Sequence, residues 1–137
     1  MSLHPEREPL PAVDAAWLRM DSPTNAMVIN SLLVFAETPG FERVKALIDE
    51  RLLAHRRFRQ RVVEPRLGLP HWELDPTFEV GAHLHHIALP APGDKAALET
   101  LVSDLASTPL DRKKPLWQVY LIEGVGHGAA LFARLHH

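Results

Sequence analysis

Two strand-like runs joined by a glycine-rich connection constrain this chain most. Residues 117–122 and 129–135 are apolar and are separated by Glu123-Gly124-Val125-Gly126-His127-Gly128. Short apolar runs around such a connection read as a hairpin. The second run, Ala129-Ala130-Leu131-Phe132-Ala133-Arg134-Leu135, reads as a buried strand and delivers His136-His137. Successive side chains on a strand point to opposite faces, so one imidazole can pack while the other faces a cleft. An imidazole held at a strand end is a way to position a general base. A site that stopped there would be half built. The expectation is therefore the front part of a longer enzyme, its remainder missing or present as a separate chain. The plainer reading is a pair of surface histidines at a chain end or the remnant of a tag, and a dipeptide alone does not decide between them.

Local patterns fill in the rest of the fold. Residues 1–13, with Pro5, Pro9 and Pro11, read as an extended arm, and residues 14–18 as a helical turn. Residues 27–35 are β-rich, and Thr38-Pro39-Gly40 breaks the run. Phe41, Val44, Leu47, Ile48 and Leu52 recur at helical spacing, which predicts a helix to about His55. Residues 61–64 suggest a short strand, 65–76 are turn-rich, and 83–89 suggest another strand. Asp94 is a suitable N-cap for a helix through Leu98, Leu101, Val102 and Leu105 that Pro109 closes. The order of elements is that of an α/β layered domain, an α+β sandwich.

Composition bounds the function. With 15 basic and 17 acidic residues the net charge is -2, unlike a domain built to neutralise nucleic-acid phosphates. There is no cysteine, which excludes disulfides, a thiol nucleophile and thiolate zinc sites and fits a reducing, cytoplasmic setting. No stretch of residues reaches the length of a membrane span, so any membrane contact is peripheral.

Other clusters admit two readings each. His83, His85 and His86 form an H-x-H-H group in which His83 and His85 would share a strand face, as metal ligands do, yet no acidic neighbour completes a site. Partly exposed strand histidines are the better account, and no metal is expected. Arg56, Arg57, Arg59 and Arg61 surround Phe58: either a surface for an anionic cofactor or membrane, or cations complementing a helix end. Arg112-Lys113-Lys114 could hold nucleotide phosphates, whereas Trp117 is a core candidate. Gly124, Gly126 and Gly128 do not match a phosphate loop and read as turn glycines.

One ordered series of segments resembles the bacterial wax ester synthase/diacylglycerol acyltransferase family. It comprises Asp21-Ser22-Pro23, Phe58-Arg59-Gln60-Arg61, Pro70-His71-Trp72, His83, Leu89-Pro90-Ala91-Pro92-Gly93, Pro109-Leu110-Asp111-Arg112, Pro115-Leu116-Trp117, Leu121-Ile122-Glu123-Gly124 and His136-His137. The family's signature is His-His-x-x-x-Asp-Gly, of which only the two histidines are present. Arg56 stands where relatives often carry proline. The resemblance implies the first subdomain of the fold shared by coenzyme A-dependent acyltransferases and condensation domains, with residues 14–137 forming it incompletely. It also implies transfer of a fatty acyl group from acyl-coenzyme A, as co-substrate, to diacylglycerol or a long-chain alcohol. His137 would be the general base and His136 a structural support. No permanently bound cofactor is expected. The implied partners are the acyl donor, the lipid acceptor, the remainder of the enzyme, and a membrane or lipid-inclusion surface. Acetyl transfer or carrier-bound condensation on the same fold, and a non-catalytic lipid-surface module using the arginines, are the competing readings.

Overall fold

A computed structural model of the chain describes residues 8–9 and 28–136. In chain order these form strand β1 (Glu8–Pro9), strand β2 (Val28–Phe35), helix α1 (Phe41–Leu47), strands β3 (Gln60–Val63), β4 (His71–Leu74) and β5 (Leu84–Ala88), helix α2 (Lys95–Ser107), and strands β6 (Trp117–Val125) and β7 (Gly128–His136). One sheet has the order β2-β7-β6-β5 and a smaller one the order β1-β4-β3.

The expected hairpin lies at the centre of the larger sheet. β6 and β7 pair antiparallel from Trp117↔Leu135 to Val125↔Gly128, leaving only Gly126-His127 as the turn. Gly126 takes φ 59° there, a left-handed conformation that glycine adopts without strain. Close approach fixes a second glycine: a Cβ on Gly93 would sit 1.7 Å from the Gly124 carbonyl oxygen. The 89–93 turn therefore packs directly onto the β6 strand end.

Burial on both faces makes this an α/β sandwich. Leu98, Leu101, Val102 and Leu105 of α2 pack against Ile122, Ala130 and Phe132. On the opposite face Val44 and Leu53 pack with Val119, Leu121 and Ala129. β5 runs parallel to β6, so α2 is the covering crossover between them. Val62 of β3, with Leu110 and Leu116, forms a third cluster against which Val28 and Trp72 pack, tying the small sheet to the large one. Asp94 caps α2 as its sequence suggests, accepting a hydrogen bond from the Ala97 amide at 2.9 Å.

Several local expectations need correction. The helix expected to reach His55 is α-helical only to Leu47 and continues as a π-turn over Ile48–Leu52. The Leu53 amide bonds to the Ile48 carbonyl at 2.9 Å, and this one wide turn shifts the phase so that Leu53 is buried. The segment taken as turns over 65–76 contains β4, whose partners are β3 and, across the sequence, Glu8–Pro9. His83 is not in the strand that follows it; β5 begins at Leu84. The arm beyond Glu8–Pro9, the turn expected over 14–18, Asp21-Ser22-Pro23 and His137 lie outside the described residues.

Replacing Asp94 with alanine should remove the α2 cap and lower stability by about 1 kcal/mol, while asparagine should retain most of it. Urea unfolding of the three proteins checks this.

Candidate functional site

The two faces of β7 divide its side chains. Registered pairing with β6 puts Leu135 beside Trp117, Ala133 beside Val119 and Leu131 beside Leu121 on the α1 face. Ala130, Phe132 and Arg134 fall on the α2 face. His136 follows the alternation to the α2 face, opposite Val28 of β2. Its amide donates to the Leu116 carbonyl at 3.0 Å, and its ring is half-buried.

On the α1 face lies an apolar cavity of about 560 Å³. Leu131 and Ala133 of β7 form its floor, Val44, Leu47 and Leu52 its wall, and Arg43, Arg51 and His55 also line it. A volume of this size with few polar groups suits an apolar ligand segment. His55 was not distinguished in the sequence because it sits among arginines at a helix end; its ring meets Phe58 edge-on at 6.4 Å.

The H-x-H-H group is dispersed. His83 is 1% exposed, stacked between Phe78 at 5.3 Å and Trp117 at 4.8 Å, so it is a core residue rather than a partly exposed one. Its Nδ1 donates to the Trp117 carbonyl at 2.8 Å, which fixes the tautomer because that oxygen only accepts. His85 is on the other face, hydrogen-bonded to Gln118 and stacked on Tyr120. His86 pairs with Glu123 at 3.0 Å and stacks on Phe41. His83 and His85 therefore do not share a face. The cause is the 3-10 turn Val80–Ala82, which leaves His83 outside the extended strand. Among the described residues no three His, Asp or Glu side chains gather as a metal would need.

Some members of the basic runs have partners within the chain, although Arg56, Arg57, Arg59 and Lys113 stay exposed. Arg57 lies over the Trp72 ring at 4.3 Å and donates to Gln60 at 3.0 Å. Arg59 donates to the Leu53 carbonyl at 3.0 Å, completing the end of the π-turn. Lys114 is held by Thr77 at 2.7 Å and Asp75 at 3.5 Å rather than presented to a phosphate. Burial raises the Asp75 pKa, but the Thr77 amide and hydroxyl together with Lys114 outweigh it and hold the carboxyl below its ordinary 3.8. Trp117 is buried, as expected of a core residue, and its indole N–H donates to the Phe58 carbonyl at 2.8 Å.

Sequence reasoning missed Arg134. It is 1% exposed, with Nε donating to Asn30 at 3.1 Å and a terminal nitrogen donating to the Ala106 carbonyl at 3.3 Å. The negative end of α2 offsets part of its buried charge. Inside an apolar run, a single arginine gives no signal of this role.

Comparison with known proteins agrees with this geometry. Residues 10–137 match the family model for the wax ester synthase/diacylglycerol acyltransferase catalytic domain. The chain is similar to two probable diacylglycerol O-acyltransferases of Mycobacterium tuberculosis. For tgs3 the identity is 34%, over 93% of this chain and 49% of the relative. For tgs1 it is 37%, over 93% and 29%. In structure it resembles the wax ester synthase/diacylglycerol acyltransferase from Marinobacter aquaeolei VT8, with a TM-score of 0.76 and 32% identity, over 94% of this chain and 34% of that one. The starter condensation domain of rhizomide synthetase RzmA shares the fold, with a TM-score of 0.75 at 19% identity, over 96% and 34%. The chain thus spans half or less of the length of these relatives.

His83 generates a pH dependence. Burial disfavours its charged form and holds the pKa below the ordinary 6.5; neighbouring His85 acts in the same direction and the Trp117 carbonyl opposes. The unfolded chain therefore binds this proton more readily than the folded one. Its contribution to stability is full above pH 6.5 and is lost as the pH falls below that value toward the lowered folded pKa. His83→Phe should remove that slope and, by withdrawing a buried donor, cost about 1–3 kcal/mol at neutral pH. Urea unfolding across a pH series measures both effects, and an unchanged slope in the variant would count against the assignment.

Proposed function

This chain belongs to the wax ester synthase/diacylglycerol acyltransferase family, and from that premise we propose that it is the base-bearing part of an acyl-coenzyme A-dependent O-acyltransferase. The acceptor is diacylglycerol or a long-chain alcohol and the product is triacylglycerol or a wax ester. The remainder of a family-length polypeptide completes the site, and the assembled enzyme works at a membrane or lipid-inclusion surface from the cytoplasmic side.

The supporting observation is the alternation along β7. Residues 129, 131, 133 and 135 take the α1 face, where Leu131 and Ala133 floor the cavity, and His136 takes the other. If that alternation continued one residue further, His137 would take the cavity side. There its imidazole would take the proton of the acceptor hydroxyl as the oxygen attacks the thioester carbonyl. The tetrahedral intermediate collapses with cleavage of the C–S bond, and the imidazolium returns the proton to the coenzyme A thiolate. No covalent acyl-enzyme is required. His136, at the α2 face, supports the strand end. The apolar cavity fits a substrate whose reacting end is polar and whose bulk is hydrocarbon.

His137→Ala in the family-length enzyme should lower turnover by about a hundred- to ten-thousand-fold with little change in acyl-donor binding. His55→Ala, which alters the cavity lining alone, should stay within a few-fold of the parent. His136→Ala should reduce folding yield and thermal stability. Mass spectrometry of products from long-chain acyl-coenzyme A offered diacylglycerol, hexadecanol or an amine supplies the readout and separates ester formation from condensation. Full turnover without His137, or loss of turnover on removing His55, would overturn the assignment.

A further inference from the structure

The β3–β4 connection, residues 64–70, presents the two most exposed large apolar side chains of the described residues, Leu67 at 90% and Leu69 at 76%. Gly68 stands between them at φ 109°, a conformation that other residues rarely adopt. Pro65 and the buried Pro70 flank it and stiffen its entry and exit. Arg66, exposed beside Leu67, makes no ion pair among the described residues. At the base of the tip Arg112 pairs with Glu64 at 3.9 Å, and Lys113 next to it is exposed. Two exposed leucines are thus set near exposed cations, Arg66 and Lys113. Apolar side chains close to cations match the chemistry of a lipid surface, an apolar medium bounded by phosphates.

We propose that the 64–70 tip docks the protein on a lipid surface, placing Leu67 and Leu69 among the acyl chains and Arg66 and Lys113 at the headgroup phosphates. The relevance of such a surface rests on the lipid acceptor proposed above. The contact is a different element from the Arg56–Arg61 run, in which Arg57 is engaged with Trp72 and Gln60 and Arg59 with the Leu53 carbonyl. Apolar insertion carries most of the affinity, so binding should persist at raised salt and weaken only partly.

The test is co-sedimentation of the family-length protein with unilamellar vesicles of phosphatidylcholine, with or without phosphatidylglycerol. Leu67→Ser with Leu69→Ser should reduce vesicle partitioning by about tenfold or more, each leucine being worth at least that factor when buried. Arg66→Ala should weaken binding several-fold only where phosphatidylglycerol is present. A Leu67→Trp variant should show a blue-shifted, bromolipid-quenched emission on vesicles. Turnover of a water-soluble short-chain alcohol should be the same in the double variant as in the parent, so loss of docking is read separately from loss of catalysis. Vesicle binding unchanged by the double substitution, no vesicle binding by the parent, or a Leu67→Trp emission that vesicles do not shift would each overturn the proposal. If the leucines instead bind a protein partner, the parent fails the vesicle arm.

Discussion

Trp117 holds together segments that are far apart in the chain. Its indole N–H must find a partner once buried, and the Phe58 carbonyl supplies it from a 3-10 turn 59 residues earlier. Its carbonyl receives the Nδ1 proton of His83, and the His83 carbonyl receives the Val119 amide at 2.7 Å. The rings of Phe58, Phe78 and His83 surround the indole. An unmet donor or acceptor in such a place costs about 1–3 kcal/mol, so each bond constrains the others. Because β6 begins at this residue and β7 pairs along it, the position of the strand end depends on this cluster.

The sheet built on that anchor is closed on both faces at its centre and open at β2. Ile122, Ala129 and Ala130 are fully buried, whereas Ile29, Leu32, Leu33 and Val34 of β2 remain exposed on alternating sides. Apolar residues on both faces of a strand suit a position covered on both sides. Within the described residues β2 pairs only with β7, and the relatives of this chain are about twice its length or more. An exposed strand of this kind is a template for association, which makes the proposed completion by the rest of a family-length polypeptide physically economical. Arg134 belongs to the same logic. Its guanidinium spans from Asn30 on β2 to the last turn of α2, so one buried cation fixes the outer strand and the covering helix together.

Elements whose signal is local were legible in the sequence. The hairpin showed itself through glycine spacing, α2 through its Asp94 cap and the helical spacing of Leu98, Leu101, Val102 and Leu105, and Trp117 through size alone. β4 was not legible, because four residues between prolines carry too little periodicity and its partner Glu8–Pro9 lies some sixty residues away in the chain. The π-turn escaped because one extra residue leaves the apolar spacing before it intact. His83 was misread since an imidazole ring looks the same in sequence whether it is a ligand or a core aromatic; only the preceding 3-10 turn decides. The terminal histidine pair was conspicuous through an ordered motif, whereas the cavity beside β7, assembled from helix, turn and three strands, has no sequence counterpart.

The choice of base follows from what each imidazole is already doing. His83 has a lowered pKa and is the strongest candidate by that criterion alone, yet its Nδ1 is committed to Trp117 and both of its faces are covered by aromatic rings. A ring so enclosed cannot approach a hydroxyl. His85 and His86 are tied to Gln118 and Glu123 on opposite sides of the sheet edge, away from the cavity. His55 lines the cavity but rides on an irregular turn, where position is held less firmly than on a central strand. A general base must meet its proton within hydrogen-bond reach, and β7, which borders the cavity, is paired on both sides along its length. The proposal of His137 as the base rests on this pairing: a base that followed β7 would be held more firmly than His55, and it would not be enclosed as His83 is.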